Sequence, residues 1–438
     1  VMQNKNYILQ LFSCMFLMFI LVGLFQSWNL ALSIFNLCII SAIMSLGINI
    51  QWGNAGIVNF GVMGFAALGG LANVIISMPP THNAWEEGGI LILSGIVIFI
   101  ISIFCSIYLW KKLNIDKKKK YVITTIIIAT SYFLMRYIID IPIQTIESIE
   151  PAKTGYLGGF HLPVIISWPI GGILAALTAY AIGKIALGLR SDYLAIATLG
   201  ISEIIIYILK NEDWLSRGVK NVNGLPRPVP YEIELQSKQW VIEIAQFTNV
   251  SLPEISSIIV KLSYSFLFII ILIGILILLE IALKSPWGRM MRAIRDNEVS
   301  ANAMGKNIKK RHLQVFIIGS AIIGIAGAML TTLDGQFTPV SYQPLRFTFL
   351  VWIMVIIGGS GNNFGSIIGG FIIWFFWIQA EPIGLWLIAF ITSYVSDSNL
   401  IKSHLLENAA HMRLMFMGII LLVTLRFAPK GLIPEVKR

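Results

Sequence analysis

Apolar residues in this chain gather into long runs, near 7–25, 30–50, 57–78, 90–110, 121–141, 164–187, 193–210, 258–283, 313–334, 345–359, 366–390 and 412–426. Short clusters of charge separate them. A run of roughly 20 apolar residues crosses a hydrocarbon core as a helix, whereas barrel strands are shorter and alternate in polarity. The pattern therefore predicts an all-α polytopic membrane protein with about 8–12 transmembrane or half-membrane helices. The runs at 57–78, 193–210 and 345–359 are short or interrupted by glycine and predict half-helices or re-entrant segments. After Tyr7–Phe25 comes Gln26-Ser27-Trp28-Asn29 rather than a small-x-small cleavage site, so this run is read as a retained helix. The whole of 1–438 is read as one transmembrane domain.

Composition agrees, with 56% of the 438 residues hydrophobic and only 12% charged, where a soluble domain has roughly one quarter charged. The net charge of +10 sorts by side. If both termini are cytoplasmic, one face receives Lys5, Lys111, Lys112, Lys117 to Lys120, Lys184, Arg190, the eight Lys/Arg from Lys284 to Arg311, Arg426, Lys430, Lys437 and Arg438. That is 21 of the 32 basic residues, the asymmetry the positive-inside rule requires. The opposite loops carry Glu86, Glu87, Glu147, Glu150, Glu212, Asp213, Glu232, Glu234, Glu243 and Glu254. The positive charge thus reports membrane topology and gives no sign of nucleic-acid binding. Cytoplasmic segments are expected at 111–120, 284–312 and 426–438, and a long outward, periplasmic loop at 211–257. Gly218, Gly224, Pro226, Pro228 and Pro230 make that loop turn-rich or briefly helical. Trp214, Arg217 and Lys220 are its candidate residues for docking a soluble partner, against the plainer reading of a connector.

Seven of the twenty residues in AIRDNEVSANAMGKNIKKRH (293–312) are charged. Ser285 as N-cap, Pro286 at the first helical position and a stop at Gly305 predict one helix here. Met290, Ile294, Ala301, Met304 and Ile308 recur at helical spacing on one side of it. A basic amphipathic helix can rest on membrane lipid. The mixture of Arg292, Arg295, Asp296, Asn297 and Glu298 suits a protein groove better, and a cytosolic protein partner is expected.

GRMMRAIRDNEVSANAMGKNIKKRHLQVFIIGSAIIGIAGAM (288–329) resembles the signature loop and following helix of the branched-chain amino acid permeases of ATP-binding-cassette importers. So, in order, do NAGIVNFGVMGFAALGG (54–70), SDYLAIATLGISEII (191–205), NVNGLP (221–226), VIIGGSGNNFGSIIGG (355–370) and LRFAPKGLIPE (425–435). The resemblance implies a permease subunit in a bacterial-type inner membrane whose 286–304 segment is a coupling helix seated in a cytosolic ATP-binding subunit. Ala301 and Gly305 match the Ala-x-x-x-Gly core of the loop motif, while Val299 stands where glutamate is common and Glu298 lies one place earlier. Implied partners are two ATP-binding subunits carrying ATP-Mg, a second permease and a periplasmic solute-binding protein. The implied cargo is a branched-chain or other hydrophobic amino acid. Related permeases serve urea and short amides, and an autonomous ion-coupled transporter is the reading from another class.

Asn54, Asn59, Thr198, Glu203, Gly358 and Gly359 form the candidate translocation pathway or gate, with tight helix packing as the alternative. Glu203 lies at mid-span, where a carboxylate costs roughly 2.5–3.5 kcal/mol even on lenient scales. It is expected to face a polar interior or be protonated, with Thr198 and Ser202 as hydrogen-bond donors. Glu280 and Asp334 sit near span ends with structural roles, and Glu381 precedes Pro382 at a bend. Cys14, Cys38 and Cys105 lie in apolar runs as packing residues, and the five histidines show no metal spacing. Gly183-Lys184-Ile185 and Gly305-Lys306-Asn307 both lack the Ser/Thr of a phosphate loop. No catalytic constellation is present in the sequence, so ATP hydrolysis is expected on separate subunits, with no cofactor or metal on this chain.

Overall fold

In lipid a backbone finds no water, so a spanning segment must satisfy its own N–H and C=O groups, and these apolar runs accordingly fold as helices. The structure is a computed structural model describing residues 2–112, 116–149, 155–392, 404, 405, 407 and 411–435. Glu150, Lys437, Arg438 and the middle of the basic segment at 113–115 lie outside the described residues. The longer helices are α1 (Met2–Phe25), α2 (Trp28–Ile48), α3 (Val62–Ser77), α4 (Ile90–Lys112), α5 (Lys117–Ser148), α6 (Val164–Ala186), α7 (Ser191–Asn211) and α8 (Leu252–Lys284). The amphipathic pair α9 (Pro286–Asp296) and α10 (Glu298–Ala303) follows, then α11 (Ile308–Asp334), α12 (Pro344–Gly358), α13 (Asn363–Ile391) and α14 (Met412–Phe427).

Among the described residues nine helices are long and apolar enough to cross a membrane. Helices α3, of 16 residues, and α12, of 15, are the short apolar ones, as their glycine-broken runs predict. The 193–210 run departs from expectation, because α7 is an unbroken helix of 21 residues. The basic segment at 111–120 is also less of a loop than expected, since α4 continues to Lys112 and α5 begins at Lys117.

Helix α11 forms the centre, wedged among α2, α3 and α6. The crossings are built from small residues, which let backbones approach closely where lipid offers no hydrophobic drive. A Cβ on Gly69 of α3 would stand 1.9 Å from the Gly324 carbonyl of α11, and one on Gly327 of α11 would stand 2.0 Å from the Ala66 carbonyl. Helices α4 and α5 instead form a hairpin beside this core, joined by contacts such as Trp110 on Tyr121 and exposing Phe104 and Phe133. Arg136 of α5 ties the hairpin to Glu212 at 3.3 Å.

The far end carries a two-stranded sheet, β1 (Val222–Asn223) antiparallel to β2 (Gln336–Phe337), with Val222 opposite Phe337. The 211–257 segment is turn-rich with short helices, the longest being Gln239–Thr248. It lies over the α11–α12 connection, where Leu225 N–H donates to Gly335 O.

The close crossings make a direct prediction. Gly327→Val overpacks the α3–α11 contact and should cost about 1–3 kcal/mol, lowering the detergent melting temperature. Gly274→Ala, with nothing within 4 Å of its Cβ position, should leave melting unchanged or raise it slightly. Equal melting of the two variants would contradict this packing.

Candidate functional site

The charged 284–307 loop is two helices, because the chain breaks at Asn297 (φ −155°, ψ 95°), whose side chain caps α10 by accepting from Ser300 N–H at 2.9 Å. This corrects the single helix expected from Pro286 to Met304. Ser285 does not cap α9 either; its hydroxyl donates back to Ala282 O at 2.6 Å. Met291, Ile294 and Ala301 turn inward and are buried, whereas Met304, assigned to the same apolar side, is 79% exposed. Trp287 Nε1 and Arg311 Nη1 both donate to the Gln314 side chain, fastening the loop to the start of α11.

Arg295 faces its own chain. One Nη donates to the carbonyl of Gly53, and the other lies 2.9 Å from Glu435 and 3.0 Å from Asp296. Burial opposes this charge, but the two carboxylates outweigh it and hold the guanidinium above its ordinary pKa. Gly53 is available because α2 ends in a π-helical turn, Asn49–Gly53, which shifts the carbonyl ladder. One cation thus joins the charged 284–307 loop, the end of α2 and the C-terminal segment. Arg292 also turns inward, donating to Leu283 O at 3.4 Å. The outer surface of the expected coupling set is therefore Asp296, Asn297, Glu298 and Gly305, joined by Val299 (80% exposed) and Met304.

Beneath this cation runs a buried polar chain. Glu280 accepts from Asn363, Asn363 from Asn49, and Asn49 Oδ1 from Gly361 N–H at 2.8 Å. Glu280 also pairs with Lys284 at 3.2 Å, in keeping with its structural reading. Gly359 (φ +116°) turns the chain so that Ile433 N–H donates to Gly358 O. A Cβ on Gly358 would meet Gly365 O at 2.0 Å. Gly358 and Gly359 are thus buried packing and turn positions.

The same holds for the loop between α2 and α3. Asn54 and Asn59 are buried; Asn59 donates to Gln51 at 2.9 Å and accepts from Gly61 N–H at 2.8 Å. Thr198 and Ser202 do not serve Glu203. Thr198 Oγ1 accepts from Phe60 N–H and Ser202 Oγ from Gly64 N–H, satisfying the free donors where α3 begins. Glu203 instead points away from the bundle, on an exposed stripe of α7 with Tyr193, Ile196, Gly200 and Tyr207. Of the six candidate pathway residues, Glu203 alone reaches the molecular surface.

The outward trio is tied down in the same way. Trp214 Nε1 donates to Glu212 at 2.6 Å, Lys220 pairs with Asp213 at 3.0 Å, and Arg217 is 9% exposed in a left-handed turn. These pairs shape the loop, with Arg217 buried and Lys220 exposed. Glu381 also finds its role, pairing with Arg413 to clamp α13 to α14. Sequence reasoning missed Asn49, Asn363 and Glu435, although polar residues ending apolar runs are the usual sign of such a network. Among the described residues no group of three or more His, Cys, Asp or Glu is arranged to hold a metal.

A bundle of spanning helices with two short ones and a charged amphipathic loop defines a multi-pass membrane protein of transport type. The chain belongs to the family described as "Branched-chain amino acid transport system / permease component", whose profile matches residues 152–425. It is 28% identical over 206 residues to the high-affinity branched-chain amino acid transport system permease protein LivM of Escherichia coli (strain K12), covering 47% of this chain and 48% of that one. It is 28% identical over 205 residues to a probable LivM of Methanocaldococcus jannaschii, covering 45% and 51%. The same organism's probable LivH is 30% identical over 109 residues, covering 25% and 33%. The match therefore spans about half the length of the LivM relatives. No solved structure matches the chain.

The Arg295 junction is tested by a double-mutant cycle. Arg295→Ala and Glu435→Ala should each destabilise the purified chain, and the double variant should lose less than the sum, with an interaction of about 0.5–3 kcal/mol. Additive losses in denaturation would show that the pair does not act as a unit.

Proposed function

We propose that this chain is a permease subunit of an ATP-binding-cassette importer that moves branched-chain or other hydrophobic amino acids across a bacterial-type inner membrane. The observation carrying this reading is the α9–α10 loop, fastened inward through Arg295 and presenting Asp296, Asn297, Glu298, Val299 and Met304 outward. Its surface joins apolar knobs to charge, the chemistry of a protein groove. Family membership supports the same reading. Cytosolic ATP-binding subunits holding ATP-Mg receive this loop, and the basic residues around it set the cytoplasmic side, with both termini there. A periplasmic solute-binding protein delivers cargo at the opposite end.

Motion of the loop passes through Arg295 to the π-helical end of α2 and through Glu435 to the turn at Gly359. These points adjoin the short helices α3 and α12, so a shift at the loop reaches both broken elements. The second permease subunit faces the α7 stripe. Glu203 supports this placement, because a carboxylate turned to lipid at mid-span costs roughly 2.5–3.5 kcal/mol, whereas a hydrated space between two permeases solvates it. Hydrolysis belongs to the partner subunits, and this chain couples and conducts.

Two outcomes test the reading. Val299→Asp combined with Met304→Asp should abolish ATP-driven uptake and co-purification of the ATP-binding subunit while membrane insertion stays intact. Retained coupled uptake would remove the loop from that role. In a background with Cys14, Cys38 and Cys105 replaced by alanine, Glu203→Cys should react with a water-soluble maleimide in membranes, whereas Phe104→Cys should not. A Glu203→Cys variant that stays unlabelled would place this face against lipid or dry protein and refute the hydrated pathway.

A further inference from the structure

The α4–α5 hairpin is fastened to the rest of the molecule at its outward end. There Ile92 of α4 and Ile139, Ile143 and Ile146 of α5 pack with Ala84, Leu157 and Trp214, and Arg136 reaches Glu212. Towards the opposite end the hairpin turns apolar side chains outward: Phe104, Ile107 and Tyr108 from α4, and Tyr121, Val122 and Ile126 from α5. The family match begins at residue 152, so the whole hairpin lies outside it.

The inner end has its own construction. The Trp110 ring meets Tyr121 edge-on with centroids 4.8 Å apart, and Lys120 Nζ donates to Trp110 O at 3.2 Å, so the two helices close on each other. Trp and Tyr favour the boundary between hydrocarbon and headgroups, which sets this pair at the membrane surface. Just beyond it stand Lys112, Lys118 and Lys119, all exposed and without an ion pair among the described residues. Lys112 Nζ has only the Tyr108 ring beneath it, 5.5 Å from the centroid. Residues 111–120 hold six lysines against a single acid, Asp116, which is itself exposed and pairs with none of the described lysines. The tip therefore concentrates positive charge at the headgroup level, with apolar flanks directly below it.

We propose that this tip is a docking surface for the phosphate headgroups of anionic phospholipids, in the leaflet on the side of the charged 284–307 loop. Lys112, Lys118 and Lys119 meet the phosphate oxygens, and the acyl chains lie along Phe104, Ile107 and Val122. An acidic protein face would answer the lysines alone, whereas a phospholipid answers the lysines and the apolar flanks together. Lipid held there secures the end of the hairpin that lies away from its protein contacts. The surface is separate from the Arg295 junction and from the α7 face, and binding to it needs neither nucleotide nor a second chain.

The experiment is native mass spectrometry of the purified full chain in detergent, titrated with phosphatidylglycerol or with phosphatidylcholine of the same acyl chains, with melting followed in parallel. Phosphatidylglycerol should be retained the more tightly and should raise the melting temperature more. Replacing Lys112, Lys118 and Lys119 together by Gln should weaken phosphatidylglycerol about tenfold or more, since each lysine near an anionic surface contributes roughly fivefold. Phosphatidylcholine should be unaffected, and the same three positions changed to Arg should keep the parent's selectivity. A charge-matched control with Lys306, Lys309 and Lys310 changed to Gln should hold phosphatidylglycerol nearly as the parent does. Equal retention of the two lipids would overturn the proposal in favour of an acidic protein partner. An equal loss in both Gln variants would overturn it in favour of diffuse attraction by net charge, and unchanged binding in the hairpin variant would remove the tip altogether. Should that variant fail to insert, salt decides on the parent chain. Raising salt from about 0.1 M to about 1 M shortens the Debye length from about 10 to about 3 Å and should abolish the extra stabilisation by phosphatidylglycerol; stabilisation that survives would overturn the surface. Failure here leaves the importer reading untouched, because that reading stands or falls with coupled uptake in the loop variants.

Discussion

Every unusual feature of this fold answers one constraint: a backbone inside hydrocarbon must find its hydrogen bonds within protein. Unbroken helices meet it alone. The breaks between α2 and α3 and between α12 and α13 do not; at the first Asn59, Thr198 and Ser202 accept from Gly61, Phe60 and Gly64 N–H groups, and at the second Asn49 accepts from Gly361. Each unsatisfied group would cost on the order of several kcal/mol. The polar residues inside the bundle are therefore mainly the price of having two short helices.

That constraint explains what was legible in the sequence. Hydropathy identifies the spanning runs and glycine marks α3 and α12 as short, because both signals are local. The charged, helical character of the 284–307 loop is legible for the same reason. Side-chain direction is not. Thr198 and Ser202 sit one helical turn from Glu203 or beside it, and spacing alone makes them its donors; the α3 N-terminus, over a hundred residues earlier in the chain, claims them instead. Arg295 likewise reads as an outward charge, since nothing near it in sequence reveals Glu435 or the bare carbonyl of Gly53. Asn297 interrupts the apolar row in the sequence, and that interruption is the cap of a second helix.

The resulting molecule divides mechanically. Where α3, α6 and α11 cross at Gly69, Gly171, Gly324 and Gly327, backbones approach closely, with only alanine methyls of Ala175 and Ala328 among the nearest side chains. Such a contact transmits displacement without absorbing it. The Arg295 junction is joined by charge and single hydrogen bonds, which can reform in a second geometry. A rigid centre with an adjustable polar link at one end is what a subunit needs if force enters at a loop and must leave at the helices.

Ionisable groups in or near the spanning helices sort by the same logic. Glu280 is paired with Lys284, and Glu381 with Arg413, so each charge is answered within the chain. Glu203 and Asp334 are not answered, and they occupy different places: one on an outer helix face, the other at the mouth of an internal cavity. Glu203 stands at mid-span, where lipid penalises a charge, whereas Asp334 is the last residue of α11 and stands at a span end. Glu203 lies on an exposed stripe of α7, and Asp334 lines a cavity of about 290 Å³.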